Sequence, residues 1–545
     1  MRPSILPLGL AVLVTATAPQ RVVTTRYGSL LGGACAATNV DFFYSIPYAK
    51  PPIENLRFRA PQPFGHFGNR SADVKAPACP QFGTTFVEAG PQSEDCLFLD
   101  VWVPANATPH SRLPVKVWLY GGGDETGGIS NPLYDGCNSA TDSILVSINY
   151  RVGPLGFLSL RAADLKGNFG IEDILLGLKW VKDSIASFGG DPNHVLLFGQ
   201  SAGAFDTQIV ASLEQSKSLI NSAIMMSPGG SLPTIAEADA WSKLFVGGLN
   251  CSTSDIPCLQ STPVASLQST VLNMPKLVGP AVGTPFEHSG RGLLEWGPVI
   301  DGSLIKGQLL ERGVQVPSVF SSTTKEGTLF VLGEYQGAFA TLNSTDYDVF
   351  LNIHFGSLAP LVKGKYPLSD FPPSQLSPNS VSAAIQAIDR DFVFRCQTYR
   401  GLLGGIANNV PVFTFSFGHT PSCTWLTDVP QTPFIHAFLG PAHTADIPFV
   451  FGNLNNLPLG GNPHNCSLTA DEGKVSEFMR AAWTNMAMHG KPGNGWEPFT
   501  LEKPQGFNFT ESAFFFGDID YEICNFWSDM ETRLRGLSTG GGACH

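Results

Sequence analysis

The sequence predicts an α/β fold, a largely parallel sheet with helices on both faces. Two patterns and one motif carry that prediction. Short, uninterrupted apolar runs recur along the chain, as strands buried on both faces require. Segments of helical spacing stand between several of them, and strand–helix–strand alternation is the connectivity of a parallel sheet. One run, residues 195–198, leads directly into Gly199-Gln200-Ser201-Ala202-Gly203 and then into a helix-compatible stretch, 204–213. Strand, sharp turn and helix is the context in which Gly-x-Ser-x-Gly presents a nucleophile. The flanking glycines relieve crowding at a strained turn and leave the Ser201 hydroxyl above the sheet. A second match, Gly536-Leu537-Ser538-Thr539-Gly540, sits in a Gly-rich tail with no apolar strand before it and is set aside.

The chain opens on what reads as a secretory signal. Arg2 supplies the positive end, residues 5–14 the apolar stretch, and Ala16-Thr17-Ala18 the small-residue cleavage site. Residues 1–18 are therefore expected to be removed, leaving 19–545 as a single domain with insertions, without internal repeats. No later run has the apolar length of a membrane span, so a secreted protein without an integral membrane anchor is expected. Six N-x-S/T sequons then become glycosylation candidates: Asn69, Asn106, Asn250, Asn343, Asn465 and Asn508. Glycans would also suit a chain with only 14% charged residues, against about 25% in typical domains. The net charge of −12, without any Lys/Arg run, excludes a nucleic-acid partner and reads as a solubility feature. Eleven cysteines fit an oxidising compartment, and the odd number leaves at least one unpaired, with Cys544 the candidate.

The elements follow in order. Residues 21–31 alternate weakly and read as a hairpin. Residues 41–59 form a Pro-interrupted strand suited to a sheet edge. Cys79 and Cys96 bracket a polar loop; a disulfide there contributes about 3 kcal/mol in the chain-entropy model. Residues 114–120 form an apolar strand ending in Gly121-Gly122-Gly123. Bare backbone at a strand end can aim N–H groups at a ligand, though a flexible turn explains the triplet as well. Residues 143–150 form the next strand. Residues 167–188 have helical spacing, and Gly189-Gly190-Asp191-Pro192 stops the helix before the elbow strand. Strands follow at 221–226, 315–321 and 411–416. Cys251 and Cys258 enclose a short loop, 335–399 is helix-compatible with Pro-rich interruptions, and 475–489 is a helix closed by Gly490.

Together these residues resemble the type-B carboxylesterase/lipase family, which includes the cholinesterases. The resemblance spans nearly the whole mature chain. It rests on Ile46-Pro47-Tyr48-Ala49 with Pro51-Pro52, on 93–102, and on Tyr120-Gly121-Gly122-Gly123. It continues through Ser147-Ile148-Asn149-Tyr150-Arg151-Val152-Gly153-Pro154, Gly167-Asn168-Phe169-Gly170, Phe188-Gly189-Gly190-Asp191-Pro192, the elbow, and Ile447-Pro448-Phe449-Val450-Phe451-Gly452. It implies an α/β-hydrolase: a mixed, mostly parallel central sheet with helices on both faces and helical insertions. It also implies the pairs Cys251–Cys258 and Cys396–Cys524 beside Cys79–Cys96. Cys423–Cys466 is a further candidate, and the pairing of Cys35 and Cys137 stays open.

A serine hydroxyl needs a base to become a nucleophile. In this fold the acid and then the histidine follow the serine along the chain. Glu326, in Thr323-Thr324-Lys325-Glu326-Gly327, matches the family's acidic position. Among the eleven histidines, order and context leave His419, His436, His443 and His464. Gly440-Pro441-Ala442-His443-Thr444-Ala445-Asp446 matches the family motif, with His436 the alternative. By resemblance, the amides of Gly122, Gly123 and Ala202 form the oxyanion hole, and Ser227 supports the triad. No metal or organic cofactor is needed. Gln200 stands where the family usually has glutamate, and Asp446 falls where another acidic residue is common. Asp124 stands where an aromatic is common in the family; it is expected to face solvent, the alternative being that it alters the substrate pocket. Residues 81–95 contain no tryptophan, so the cage that holds quaternary ammonium in cholinesterases is not implied. The expected activity is hydrolysis of small-molecule or lipid carboxylic esters through an acyl-enzyme. An acyltransferase or lactonising enzyme using the same residues is the alternative, and a non-catalytic binding module a more distant one. Sequence does not give the oligomeric state.

Overall fold

Val195, Leu196, Leu197 and Phe198 are buried on both faces, so the strand they form must run through the middle of a sheet. The computed structural model, which describes residues 21–83, 90–230, 232–274, 296–374, 379–422, 425–426, 432–454 and 467–538, places it there. The 11-stranded sheet comprises β1 (Gly33–Ala34), β2 (Val40–Pro47), β3 (Phe98–Pro104), β4 (Leu113–Leu119), β5 (Ile144–Ile148) and β6 (Gly190–Gln200). It is completed by β7 (Ser222–Met226), β8 (Ser318–Thr323), β9 (Val412–Phe417), β10 (Gln505–Phe509) and β11 (Phe514–Asp518). The spatial order is β11-β10-β9-β8-β7-β6-β4-β5-β3-β2-β1. Pairings from β10 through β5 are parallel. The two ends of the sheet are antiparallel. This is the mixed, mostly parallel sheet of an α/β-hydrolase.

Helices pack on it through apolar faces. Helix α1 (Phe169–Ser184) buries Ile171, Ile174, Leu178 and Val181 and ends before Gly189, whose φ of 97° turns the chain into β6. Helix α2 (Ala202–Ser212) is buried along its whole length, directly behind the elbow. Helix α3 (Gly327–Tyr335) follows β8, and α4 (Ala470–His489) begins with a Thr469–Glu472 capping box and ends at Gly490 in the left-handed conformation.

The strand-level reading of the sequence holds with shifted ends, but β10 and β11 were not anticipated. The Pro-interrupted segment is one strand in from the edge, covered only by the two residues of β1. The hairpin Val22–Thr25/Gly28–Leu31 lies outside the main sheet and pairs with Gly68–Ser71 instead. The second Gly-x-Ser-x-Gly is not wholly in a loose tail, since a helix runs from Ile523 to Ser538. The disulfides Cys79–Cys96, Cys251–Cys258 and Cys396–Cys524 are present, and Cys35 pairs with Cys137 across 102 positions. Cys423, Cys466, Cys544, Asn465 and the proposed signal lie outside the described residues. Asn69, Asn106, Asn250 and Asn343 are exposed; Asn508, inside β10, is half-buried and donates to the Asp518 carbonyl. No helix among the described residues is long and apolar enough to cross a membrane.

Candidate active site

The elbow has the geometry its glycines imply. Ser201 stands at φ 60° and ψ −126°, a strained conformation between β6 and α2. A Cβ on Gly199 would lie 2.2 Å from the Gly203 carbonyl oxygen, and one on Gly203 would lie 2.3 Å from that of Leu119. Neither position tolerates a side chain. The Ser201 amide donates to the Met226 carbonyl at 2.9 Å, which fixes the turn to the next strand.

Ser201, Ser227 and Glu326 follow the adjacent strands β6, β7 and β8, and His443 lies in the crossing after β9. Glu326 is fully buried and completely hydrogen-bonded. One oxygen accepts from the Ser227 hydroxyl and the Thr323 amide, each at 2.6 Å, and the other from His443 Nδ1 at 2.5 Å. That contact sets the imidazole tautomer with the proton on Nδ1 and Nε2 left as acceptor. Gln200 Nε2 donates to that acceptor at 3.1 Å. No hydrogen bond joins Ser201 to His443 in this arrangement; the Nε2 acceptor is taken by the Gln200 amide.

The imidazole is also held by rings. Phe330 of α3 and Phe394 of the π-helical turn Arg390–Arg395 lie 5.1 and 4.6 Å from it, centroid to centroid. The other surviving histidines are engaged elsewhere. His436 Nε2 donates to the Pro421 carbonyl, His419 faces Glu472 and Glu511, and His464 lies outside the described residues.

The Gly121–Gly123 turn lies against the elbow. A Cβ on Gly121 would stand 2.8 Å from Ser201 Cβ, and Gly122 adopts φ 124°. Among the described residues, no backbone or side-chain acceptor takes the amide hydrogens of Gly122, Gly123 or Ala202. Three free donors beside a serine can receive a developing oxyanion.

Two carboxyl groups behave differently from ordinary surface acids. Asp446 is fully buried without a well-formed hydrogen bond; burial, and then the charge of Glu326, push it up to about 8. Burial beside Glu326 thus favours its neutral form, which limits the second negative charge next to the glutamate. Contrary to the expectation from sequence, Asp124 does not face solvent. It is 0% exposed and directed inward, beside Asp206 of α2. Asp206, Phe330, Phe394 and the Thr323 amide were all missed. A lone carboxylate inside the wholly apolar face of α2 was the one available signal for Asp206.

Fold and elbow together define an α/β-hydrolase built around a serine turn. The chain belongs to the carboxylesterase family, whose sequence model matches residues 19–527. Bile salt-activated lipase of Mus musculus is 31% identical over 519 residues, spanning 89% of this chain and 81% of its own. Para-nitrobenzyl esterase of Bacillus subtilis is 28% identical over 486 residues, spanning 87% and 90%. The crystal protein of Dictyostelium discoideum is 29% identical over 505 residues, spanning 88% and 84%. The chain is a carboxylic-ester hydrolase.

Proposed function

We propose that Ser201, Glu326 and His443 form the triad of a secreted esterase that works through an acyl-enzyme, within a single domain beginning at residue 19. The observation that carries this is the buried Glu326–His443 hydrogen bond of 2.5 Å, which leaves Nε2 as an acceptor held at 3.1 Å by Gln200, the residue before Ser201. As substrate enters, the Gln200 amide yields that acceptor and the serine hydroxyl takes its place. Nε2 accepts the serine proton while Oγ bonds to the ester carbonyl carbon, and the carbonyl oxygen becomes an anion facing Gly122, Gly123 and Ala202. Glu326 stabilises the imidazolium. Collapse breaks the ester C–O bond, and the imidazolium gives its proton to the leaving alkoxide. Water then repeats the sequence on the acyl-enzyme and releases the acid.

Apolar esters suit the site, because Phe330 and Phe394 present aromatic surface beside the base. Related proteins are named for lipids, para-nitrobenzyl esters and choline. Secretion is supported by the N-terminal signal pattern, by four disulfides and by the exposure of Asn69, Asn106, Asn250 and Asn343. The test is a panel of p-nitrophenyl esters of increasing chain length, with wild type and Ser201→Ala. Turnover lost in the variant is expected, and equal rates in both would end the proposal. A rate jump above the substrate's solubility limit would identify a lipase.

A further inference from the structure

The turn that carries the oxyanion amides also carries a buried carboxyl group with no role in the reaction above. Asp124 follows Gly123 directly and stands at φ 55°. The main chain around it is tied down: its carbonyl accepts from the Gly153 amide at 2.5 Å. Gly122 O accepts from the Glu125 and Thr126 amides at 3.1 and 3.0 Å and from the Thr126 hydroxyl at 3.1 Å. The side chain points inward to Asp206, one turn and a half along the helix that Ser201 begins. Both carboxyl groups are 0% exposed, and the two side chains lie within hydrogen-bond reach of each other.

No cation or backbone amide satisfies either group. The Tyr150 hydroxyl lies beside Asp206, but it donates to the Tyr120 carbonyl at 2.6 Å. The Tyr120 hydroxyl donates to the Tyr150 carbonyl at 2.9 Å. Tyr134 lies near Tyr150. Asp173, the next acid, is engaged by Arg151 at 2.7 Å. Glu125, next along the turn, has its carboxyl against Gly83, so among the described residues the groups facing the pair are uncharged phenols, with the Arg151–Asp173 ion pair beyond them. Two carboxylates cannot both stay ionised in such a site. With one proton between them, they form a charge-assisted hydrogen bond.

We propose that Asp124 and Asp206 are positioning residues: a proton shared between their carboxyl groups latches the oxyanion turn to the nucleophile helix. The inference rests on the triad and oxyanion reading given above. With the proton in place, the amides of Gly122 and Gly123 are held in register with that of Ala202. When the proton leaves, two adjacent negative charges repel and the turn moves off the helix. Activity then has an alkaline limb that belongs to this pair. Burial pushes both carboxyls upward, in keeping with a proton retained beyond the ordinary carboxylate range.

The test is the pH profile of kcat and KM for p-nitrophenyl acetate in wild type, D124A, D124N and D206N, with Ser201→Ala alongside. D124A leaves Asp206 without its partner; kcat is expected to fall by about tenfold or more with KM nearly constant, because oxyanion contacts form only in the transition state. In D124N and D206N an amide hydrogen replaces the shared proton. Each should recover most of the rate lost by D124A and move the alkaline limb up by at least about one pH unit. The latch is overturned by D124A with wild-type kcat, or by asparagine variants with the wild-type alkaline limb. Should D124A fail to fold, the two asparagine variants decide alone. Activity surviving in Ser201→Ala would instead sink the triad, so the two failures are distinguishable.

Discussion

Replacing Gln200 with glutamate puts a negative charge next to the base. The Gln200 amide nitrogen is 3.1 Å from His443 Nε2, so a glutamate oxygen can occupy nearly the same place. Charges about 4 Å apart attract by about 4 kcal/mol at an effective dielectric near 20. Desolvation of the new carboxylate offsets part of this, and the remainder favours the imidazolium. In the proposed mechanism only neutral His443 accepts the serine proton, so the acid limb of kcat/KM moves to higher pH by about one to two pH units. The assay is hydrolysis of p-nitrophenyl acetate from about pH 4 to pH 9, with stability checked at each pH. An acid limb that coincides with that of wild type would refute the argument and place the Gln200 side chain away from the base during turnover.

Other consequences can be measured separately. Ser227→Ala removes the 2.6 Å hydrogen bond to Glu326, leaving a buried carboxylate oxygen less satisfied. Steady-state kinetics should show kcat reduced by about ten- to a hundredfold, the cost of a hydrogen bond to a charged group, with little change in KM. Removing the Cys35–Cys137 bond by a double serine substitution opens a closure of 102 positions. The chain-entropy model gives a loss of about 5 kcal/mol, read as a fall in Tm. Thermal stability should also decline as pH rises. Burial pushes Asp100 up to about 7, and burial with the charge of Glu326 pushes Asp446 up to about 8. Each favours the fold fully only below the ordinary carboxylate range, and that contribution is lost as pH climbs through the raised value. Glu472 acts oppositely: despite burial, hydrogen bonds from His419, Thr469 and Ser422 bring it down to about 2, so its contribution vanishes only in strong acid. Calorimetry between about pH 5 and pH 8.5 should therefore give the higher Tm at the acid end.

The sequence made the elbow legible because strand, glycine and serine must be contiguous to make that turn. The central parallel strands were legible for a similar reason: each is a short, mainly apolar segment buried on both faces. Strands β10 and β11 were not, because Gln505–Phe509 and Phe514–Asp518 carry Gly, Asn and Asp among their phenylalanines. Glu326 and His443 could be chosen only through family resemblance, since nothing local distinguishes a buried Glu or His in a loop. Asp124 shows the opposite failure. Its charge argued for solvent, and the partner that permits its burial lies far along the chain in Asp206. Cys35 and Cys137 likewise meet only through the fold, their positions giving no hint of each other.

Ser201, Ser227 and Glu326 occupy turns after three neighbouring strands, and His443 follows the fourth. Long segments intervene between Ser227 and β8 and between α3 and β9, and neither contains Ser201, Glu326 or His443; the segment after β9 carries His443. Insertions or deletions in those segments would reshape the entrance and the acyl-binding walls while the strand ends keep their spacing. New ester preferences can therefore arise in this architecture by remodelling the mouth, with the reacting groups left in place.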